Sequence, residues 1–383
     1  MNLQDDPFLS ISNTIMNPYV SEWQKNNKKV IGHYCTYLPE ELLYAAGILP
    51  FRIRSTGHKH TDLGDIYMVR FTCSFVRATL DMALRGIYDF LDALFICNSC
   101  DHSRRMFELF DLKVFGREEF MKQVQRYYVS IPHVITDEGF EWYKREIEEL
   151  KENLEKNFIN RIITHNDLKL SIKIYNENRS LLRKIHELRI LDAPRLNGSE
   201  ALQISIANAS VPKEIANNEL KRIYNVLQEK EGIKEDFKRI LLVGSEVDDL
   251  TFTRLIENSG AVLVSDFLCF GTRNFLDDVK IVNGNTPLES IINKVYYRMS
   301  CPRMMDDHVR RLEYLKNEIN RAKVDGVILQ RVNNCDLYGC ENMMLLHELK
   351  ELDVPILNIE REFYQADTTR LQTRIEAFLE MIS

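Results

Sequence analysis

The chain has 383 residues, 45 % of them apolar and 28 % charged, with a formal net charge of −7. This composition excludes a disordered chain, and the acidic balance disfavours nucleic acid or an anionic membrane as the main partner. No apolar run approaches the ~20 residues of a membrane span, and the polar start Met1-Asn-Leu-Gln-Asp-Asp lacks the regions of a signal peptide, so the expected location is cytoplasmic.

Such a length exceeds one ordinary core, and two or three domains are expected. Residues 1–30 predict an N-terminal helix carrying Tyr19 and Trp23. Val30 to Tyr37 reads as a short strand, Pro39 to Gly47 as a helix and Leu49 to Ile53 as a second strand. Proline suits the first helical turn, the acids Glu40 and Glu41 favour its positive end, and Gly47 suits its stop. A polar loop, Ser55 to Asp65, leads to a helix from Val76 to Arg85 and a strand from Phe90 to Ile96. A helix from His102 to Phe110 and a strand from Tyr127 to Ile131 complete a first α/β unit, residues 1–135.

Strand signals then fade. Phe140–Phe158, Asn166–Arg189, Ser199–Asn208 and Pro212–Glu231 carry apolar residues at helical spacing, with Asp167 a candidate cap, and make residues 136–235 a helical segment. From Lys238 the strand–helix rhythm returns: strands at Arg239–Ser245, Ala261–Ser265, Asp325–Arg331 and Pro355–Ile359. Helices are expected at Leu250–Ser259, Leu288–Met299, His308–Lys323, Glu341–Leu352 and Thr368–Ile382. Residues 236–383 are thus a second unit, and the fold class is α/β: two Rossmann-like domains with parallel sheets and helices between them.

Eight cysteines (35, 73, 97, 100, 269, 301, 335 and 340) sit in this chain. In a reducing compartment most are expected as free thiols, and a single one is most simply a small buried apolar residue. Position singles out three. Cys73 precedes a helix, Cys100 ends a strand, and Cys335 follows the strand-like run Val327 to Val332. Three thiolates on loops at strand ends suit a metal or cluster. The Cys97-Asn-Ser-Cys100 pair also admits zinc or redox readings, but no second CxxC or His pair lies at zinc spacing and Cys97 falls inside the strand pattern. Around these, His33, Tyr34, Thr36 and Tyr37 stand at a strand end, where parallel sheets open ligand crevices. Arg104 and Arg105 could offset cluster charge or pair with Glu108. Asp266 and Arg273 could line the same crevice or pair with each other. Gly244-Ser245 reads as a structural turn; no nucleotide-binding glycine motif is present.

The motif Gly32-His-Tyr-Cys-Thr-Tyr-Leu-Pro-Glu-Glu-Leu-Leu-Tyr-Ala-Ala-Gly47 resembles the opening of the 2-hydroxyacyl-CoA dehydratase / benzoyl-CoA reductase family. So do Thr72-Cys-Ser-Phe-Val-Arg77, Asn98-Ser-Cys-Asp-His-Ser-Arg-Arg105, Tyr175-Asn-Glu-Asn-Arg179, Cys301-Pro-Arg303, Asn334-Cys-Asp-Leu-Tyr-Gly339 and Thr373 to Glu380. The resemblance implies an iron–sulfur subunit that pairs with a homologous second subunit and binds a [4Fe–4S] cluster through Cys73, Cys100 and Cys335. It also implies an ATP-dependent iron–sulfur activator protein that delivers one electron at low potential to an acyl-CoA. In the dehydratases the thioester carbonyl becomes a ketyl radical that expels hydroxide; in the reductases benzoyl-CoA is dearomatised. His33, Thr36 and Tyr37 are the expected catalytic groups beside the carbonyl. A branch of the family instead holds a double-cubane cluster with more cysteine ligands and reduces small molecules. This chain lacks that branch's extra Cys-Pro between Cys73 and Cys97, while Cys269 and Cys301 fall near its cysteine positions. A non-catalytic partner subunit is the remaining alternative, and the roles of Cys35, Cys269, Cys301 and Cys340 stay open.

Overall fold

The computed structural model describes residues 6–111, 124–234, 237–363 and 368–382. Two four-stranded sheets organise them, both parallel throughout. The first comprises β1 (Val30–His33), β2 (Leu49–Arg52), β3 (Ala93–Cys97) and β4 (Gln125–Val129), in the order β2-β1-β3-β4. The second comprises β5 (Lys238–Gly244), β6 (Ala261–Phe267), β7 (Gly326–Val332) and β8 (Ile356–Arg361), in the order β6-β5-β7-β8. The α/β class with two Rossmann-like parallel sheets therefore holds. β1, β2 and β3 are buried along their whole length, which is why they read as apolar runs with little alternation.

Helices cover both faces of each sheet. Ile31, Phe95, Cys97 and Val129 pack on Tyr143, Ile147 and Leu150 of the Asp137–Asn153 helix and on Ile291, Ile292 and Tyr296 of the Pro287–Tyr297 helix. On the opposite face Phe51, Leu94 and Ile96 meet Phe75, Val76 and Leu80 of the Ser74–Leu84 helix. Val332 and Phe363, from the second sheet's end, join this same cluster, so the carboxyl ends of the two sheets meet across it. The chain also crosses back: helix Pro287–Tyr297 follows β6 in sequence yet packs on the first sheet.

Local chemistry sets the helix ends. Thr164, not Asp167, caps the His165–Arg189 helix; Asp167 instead completes a capping box from the third helical position. The N-terminal helix expected over residues 1–30 is two short ones, Pro7–Ser10 capped by Asp6 and Pro18–Lys25 capped by Asn17, because each proline restarts a helix; residues 1–5 lie outside the described residues. Gly244 has φ +154°, and a side chain there would collide with the Gln330 carbonyl of β7. The turn out of β5 therefore requires glycine, and it delivers Ser245 to a hydrogen bond with the Val332 amide (2.7 Å). Among the described residues no helix is long and apolar enough to cross a membrane.

Candidate functional site

One cavity of about 110 Å³ lies where the sheet ends meet. Six cysteines line it: Cys35, Cys73 and Cys100 from the first unit, and Cys269, Cys301 and Cys335 beyond β6 and β7. All eight cysteines are free thiols. Cys97 is fully buried in the core beneath, and Cys340 is exposed elsewhere. Phe75, Val76, Val332 and Leu337 supply apolar wall; Tyr34, Ser99, Glu246 and Tyr338 supply polar groups.

The six thiols fall into two sets with different surroundings. Cys73, Cys100 and Cys335 each immediately precede a helix: Ser74–Leu84, Asp101–Asp111 and Asp336–Glu348. Each sulfur faces the amides of its helix's first turn: Phe75 and Val76 for Cys73, His102 and Ser103 for Cys100, and Tyr338 for Cys335. The Ser103 amide lies 3.4 Å from the Cys100 sulfur. A helix N-terminus favours a thiolate. Burial outweighs it, however. It pushes the Cys73 thiol up to about 12, with the charge of Cys100 next in weight, and raises Cys100 and Cys335 as well. Burial thus keeps these thiols in their neutral form.

The second set, Cys35, Cys269 and Cys301, sits among buried guanidinium groups. Arg52 donates to the Cys269 sulfur and to its carbonyl, both at 2.7 Å. Arg273 also donates to Cys269, and its Nη1 meets the Tyr338 hydroxyl at 2.5 Å. Arg298 and Arg303 lie over the Tyr37 ring at 4.4 and 5.3 Å. Cys35 shares a hydrogen bond with Cys97; that bond and then the Tyr37 amide, Arg303 and Arg298 pull the Cys35 thiol down, while Cys97 keeps the proton. Arg311 braces the Cys301 loop through the Ser300 hydroxyl (2.9 Å) and the Met304 carbonyl (2.8 Å), and is itself held by Glu341 at 2.7 and 2.8 Å.

The structure thus brings Cys73, Cys100 and Cys335 to one cavity and adds three cysteines that sequence spacing did not single out. His33, Thr36 and Tyr37 lie off the cavity wall, which their neighbours Tyr34 and Cys35 form instead. The backbone leaves the strand after His33, so strand alternation no longer decides which side chains face the crevice. Thr36 accepts from Arg298 at 2.5 Å and faces a second, smaller cleft lined by Glu40, Glu41, Arg179, Lys213 and Lys294. Tyr37 is fully buried with its hydroxyl unpartnered. Asp266 pairs with Arg189 (2.5 Å), not with Arg273. Arg104 pairs with Asp101 and Glu108 at the surface.

His33 is fully buried, 3.4 Å from the Cys35 carbonyl and 3.5 Å from Glu40. Burial outweighs the Glu40 charge and pulls its pKa down to about 4. The unfolded chain takes up a proton near pH 6.5, whereas folded His33 refuses it until near pH 4. Stability is therefore full above 6.5 and is lost as pH falls between the two, by about 2 kcal/mol from pH 7 to 5. Urea unfolding at the two pH values checks this: His33→Gln is expected to lose less between them than the native chain does.

A double α/β chain that gathers thiols at the facing carboxyl ends of two parallel sheets belongs to the class of enzyme subunits built around such a crevice. A family model for 2-hydroxyglutaryl-CoA dehydratase, D-component, matches residues 35–382, and the chain belongs to that family. A benzoyl-CoA reductase subunit of Thauera aromatica is 27 % identical over 347 residues, covering 88 % of this chain and 87 % of the relative. The (R)-phenyllactyl-CoA dehydratase beta subunit of Clostridium sporogenes is 24 % identical, and the match covers 100 % of both chains. The beta subunit of (R)-2-hydroxyglutaryl-CoA dehydratase of Acidaminococcus fermentans is 22 % identical, covering 95 % of each. The chain is accordingly an enzyme subunit of the acyl-CoA dehydratase or benzoyl-CoA reductase type.

Proposed function

We propose that this chain is the iron–sulfur subunit of a 2-hydroxyacyl-CoA dehydratase or benzoyl-CoA reductase-like enzyme, carrying a [4Fe–4S] cluster on Cys73, Cys100 and Cys335. One observation carries the reading: three thiols from separate loops, each preceding a helix and facing its first-turn amides, line one cavity. Their sulfurs, with those of Cys35, Cys269 and Cys301, line a cavity of about 110 Å³. That donor set fits a body of several irons held by soft thiolates.

Such a cluster would be held by Cys73, Cys100 and Cys335 and, when bound, would supply one low-potential electron for reduction of an acyl-CoA thioester. The chain's own residues supply the rest. The first-turn amides of three helices would favour the anionic form of these sulfurs once the bound group's positive charge offsets their burial. Phe75, Val76, Val332 and Leu337 keep water from the wall, which strengthens each polar contact inside. Tyr338 and Glu246 face the cavity as hydrogen-bonding groups. His33, Thr36 and Tyr37 would act one layer behind, through Cys35 and Arg298. The beta-subunit names of the relatives support a partner subunit; that it is homologous, and that an ATP-dependent activator serves the pair, belong to the proposed reading. A cytoplasmic, anaerobic setting suits it.

The six-thiol lining favours a second reading, a double-cubane cluster that reduces small molecules, with Cys35, Cys269 and Cys301 as further ligands. Electron paramagnetic resonance of the anaerobically purified, dithionite-reduced chain tests the proposal. A reduced-cubane signal that shifts on addition of a 2-hydroxyacyl-CoA or benzoyl-CoA is expected; a chain that binds zinc alone and gives no signal rejects both readings.

A further inference from the structure

Arg52 is the last residue of β2, at the edge of the first sheet, yet its side chain ends in the second unit. Nη1 donates to the Cys269 carbonyl and Nη2 to the Cys269 sulfur, both at 2.7 Å. Nη2 also reaches Glu246 Oε1 at 3.2 Å, and the guanidinium stacks on Phe270 at 3.8 Å. Its side chain is 1 % exposed. One buried cation thus grips the loop after β6 and the turn after β5 from the opposite sheet. A fully buried arginine is uncommon, and its desolvation needs a partner that returns it. Here the partners are a carbonyl, a sulfur and a carboxylate that all belong to the thiol cavity.

We propose that Arg52 is a positioning residue of this site: it clasps Cys269 across the two sheets and fixes that sulfur's place and charge environment on the cavity wall. This deepens the reading of the cavity as a cluster site, and two consequences separate it from mere structural packing. Without the clasp, the loop Leu268–Phe275 loosens while the sheets remain intact. A hydrogen-bond donor and positive charge beside a sulfur also stabilise the reduced form of a nearby cluster, so removing them lowers its reduction potential.

The test compares Arg52→Gln and Arg52→Lys with the native full-length chain. Hydrogen exchange followed by mass spectrometry needs no cluster: peptides over 268–275 are expected to exchange about tenfold faster in Arg52→Gln, with β5 and β7 unchanged. Arg52→Lys keeps the charge but loses the forked donation, so its loop is also expected to exchange faster, and it remains informative should Arg52→Gln not fold. In the anaerobically loaded protein, redox titration by electron paramagnetic resonance is expected to give a lower midpoint for Arg52→Gln and an intermediate one for Arg52→Lys. Unchanged loop exchange overturns the clasp. Faster exchange with an unchanged midpoint overturns the electrostatic part. A native chain that takes up no iron contradicts the cluster reading, while the exchange experiment still decides the clasp.

Discussion

Replacing Cys73, Cys100 or Cys335 with serine is expected to remove the cluster and, with it, all electron-dependent turnover. The loss should be near total because each sulfur comes from a different loop and, on the proposed reading, supplies one of three ligands. A serine hydroxyl is far less acidic than a thiol and is a hard oxygen ligand where soft sulfur is wanted. Burial already works against the anion here, holding the Cys73 thiol up at about 12 before loading. Cys97→Ser sets the contrast: it lies in the core and does not line the cavity, so it should cost stability but leave much of the iron in place. The second thiol set divides the two cluster readings. With a single cubane, Cys269→Ser and Cys301→Ser keep the iron of the native chain; with a double cubane, each loses about half or more. Iron analysis of the anaerobically purified variants, with melting curves to confirm folding, decides among these outcomes.

The second large effect is on stability. Arg311→Met is expected to destabilise the chain by about 3–5 kcal/mol, because it strips a partner from a buried charge. Arg311 is 1 % exposed, and Glu341 receives it in a two-pronged contact at 2.7 and 2.8 Å. Without it Glu341 is left with His308 at 3.2 Å. The same change frees the Ser300–Met304 segment, since Arg311 holds both the Ser300 hydroxyl and the Met304 carbonyl. Cys301 lies between them. Removing both charges with Arg311→Met and Glu341→Leu should recover part of the stability without rebuilding the loop. Denaturant unfolding of the single and double variants measures this; a double variant no more stable than Arg311→Met would show that the loop contacts, not the stranded charge, carry the cost.

The parallel sheets were legible because their strands are short apolar runs punctuated by glycine, proline and polar turns. The first thiol set was legible for a related reason. Each cysteine stands beside a strand end or a helix start, and local pattern places such residues at one edge of an α/β sheet. Cys35 fell inside a predicted strand, and Cys269 and Cys301 were marked only by the resemblance, near cysteine positions of the double-cubane branch. Cys35 is met by Arg298 and Arg303 and Cys269 by Arg52, all from distant parts of the chain, while Arg273 reaches Cys269 from only four residues away. In sequence those arginines look like surface charges, since arginine is seldom buried. The segment after β1 shows the same difficulty at short range: Tyr34 and Cys35 face the cavity while Thr36 and Tyr37 turn to Arg298, and only the path of the loop determines which. The resemblance to the dehydratase and reductase subunits carried over the family, and the family match along residues 35–382 bears that out.

The most direct measurement is the iron and acid-labile sulfide content of the chain after anaerobic purification, alongside its zinc. A cluster on Cys73, Cys100 and Cys335 predicts iron and sulfide in equal amounts, about four of each per chain, with the content lost in Cys100→Ser. A native, folded chain with no iron and no sulfide, or with zinc alone, would contradict it.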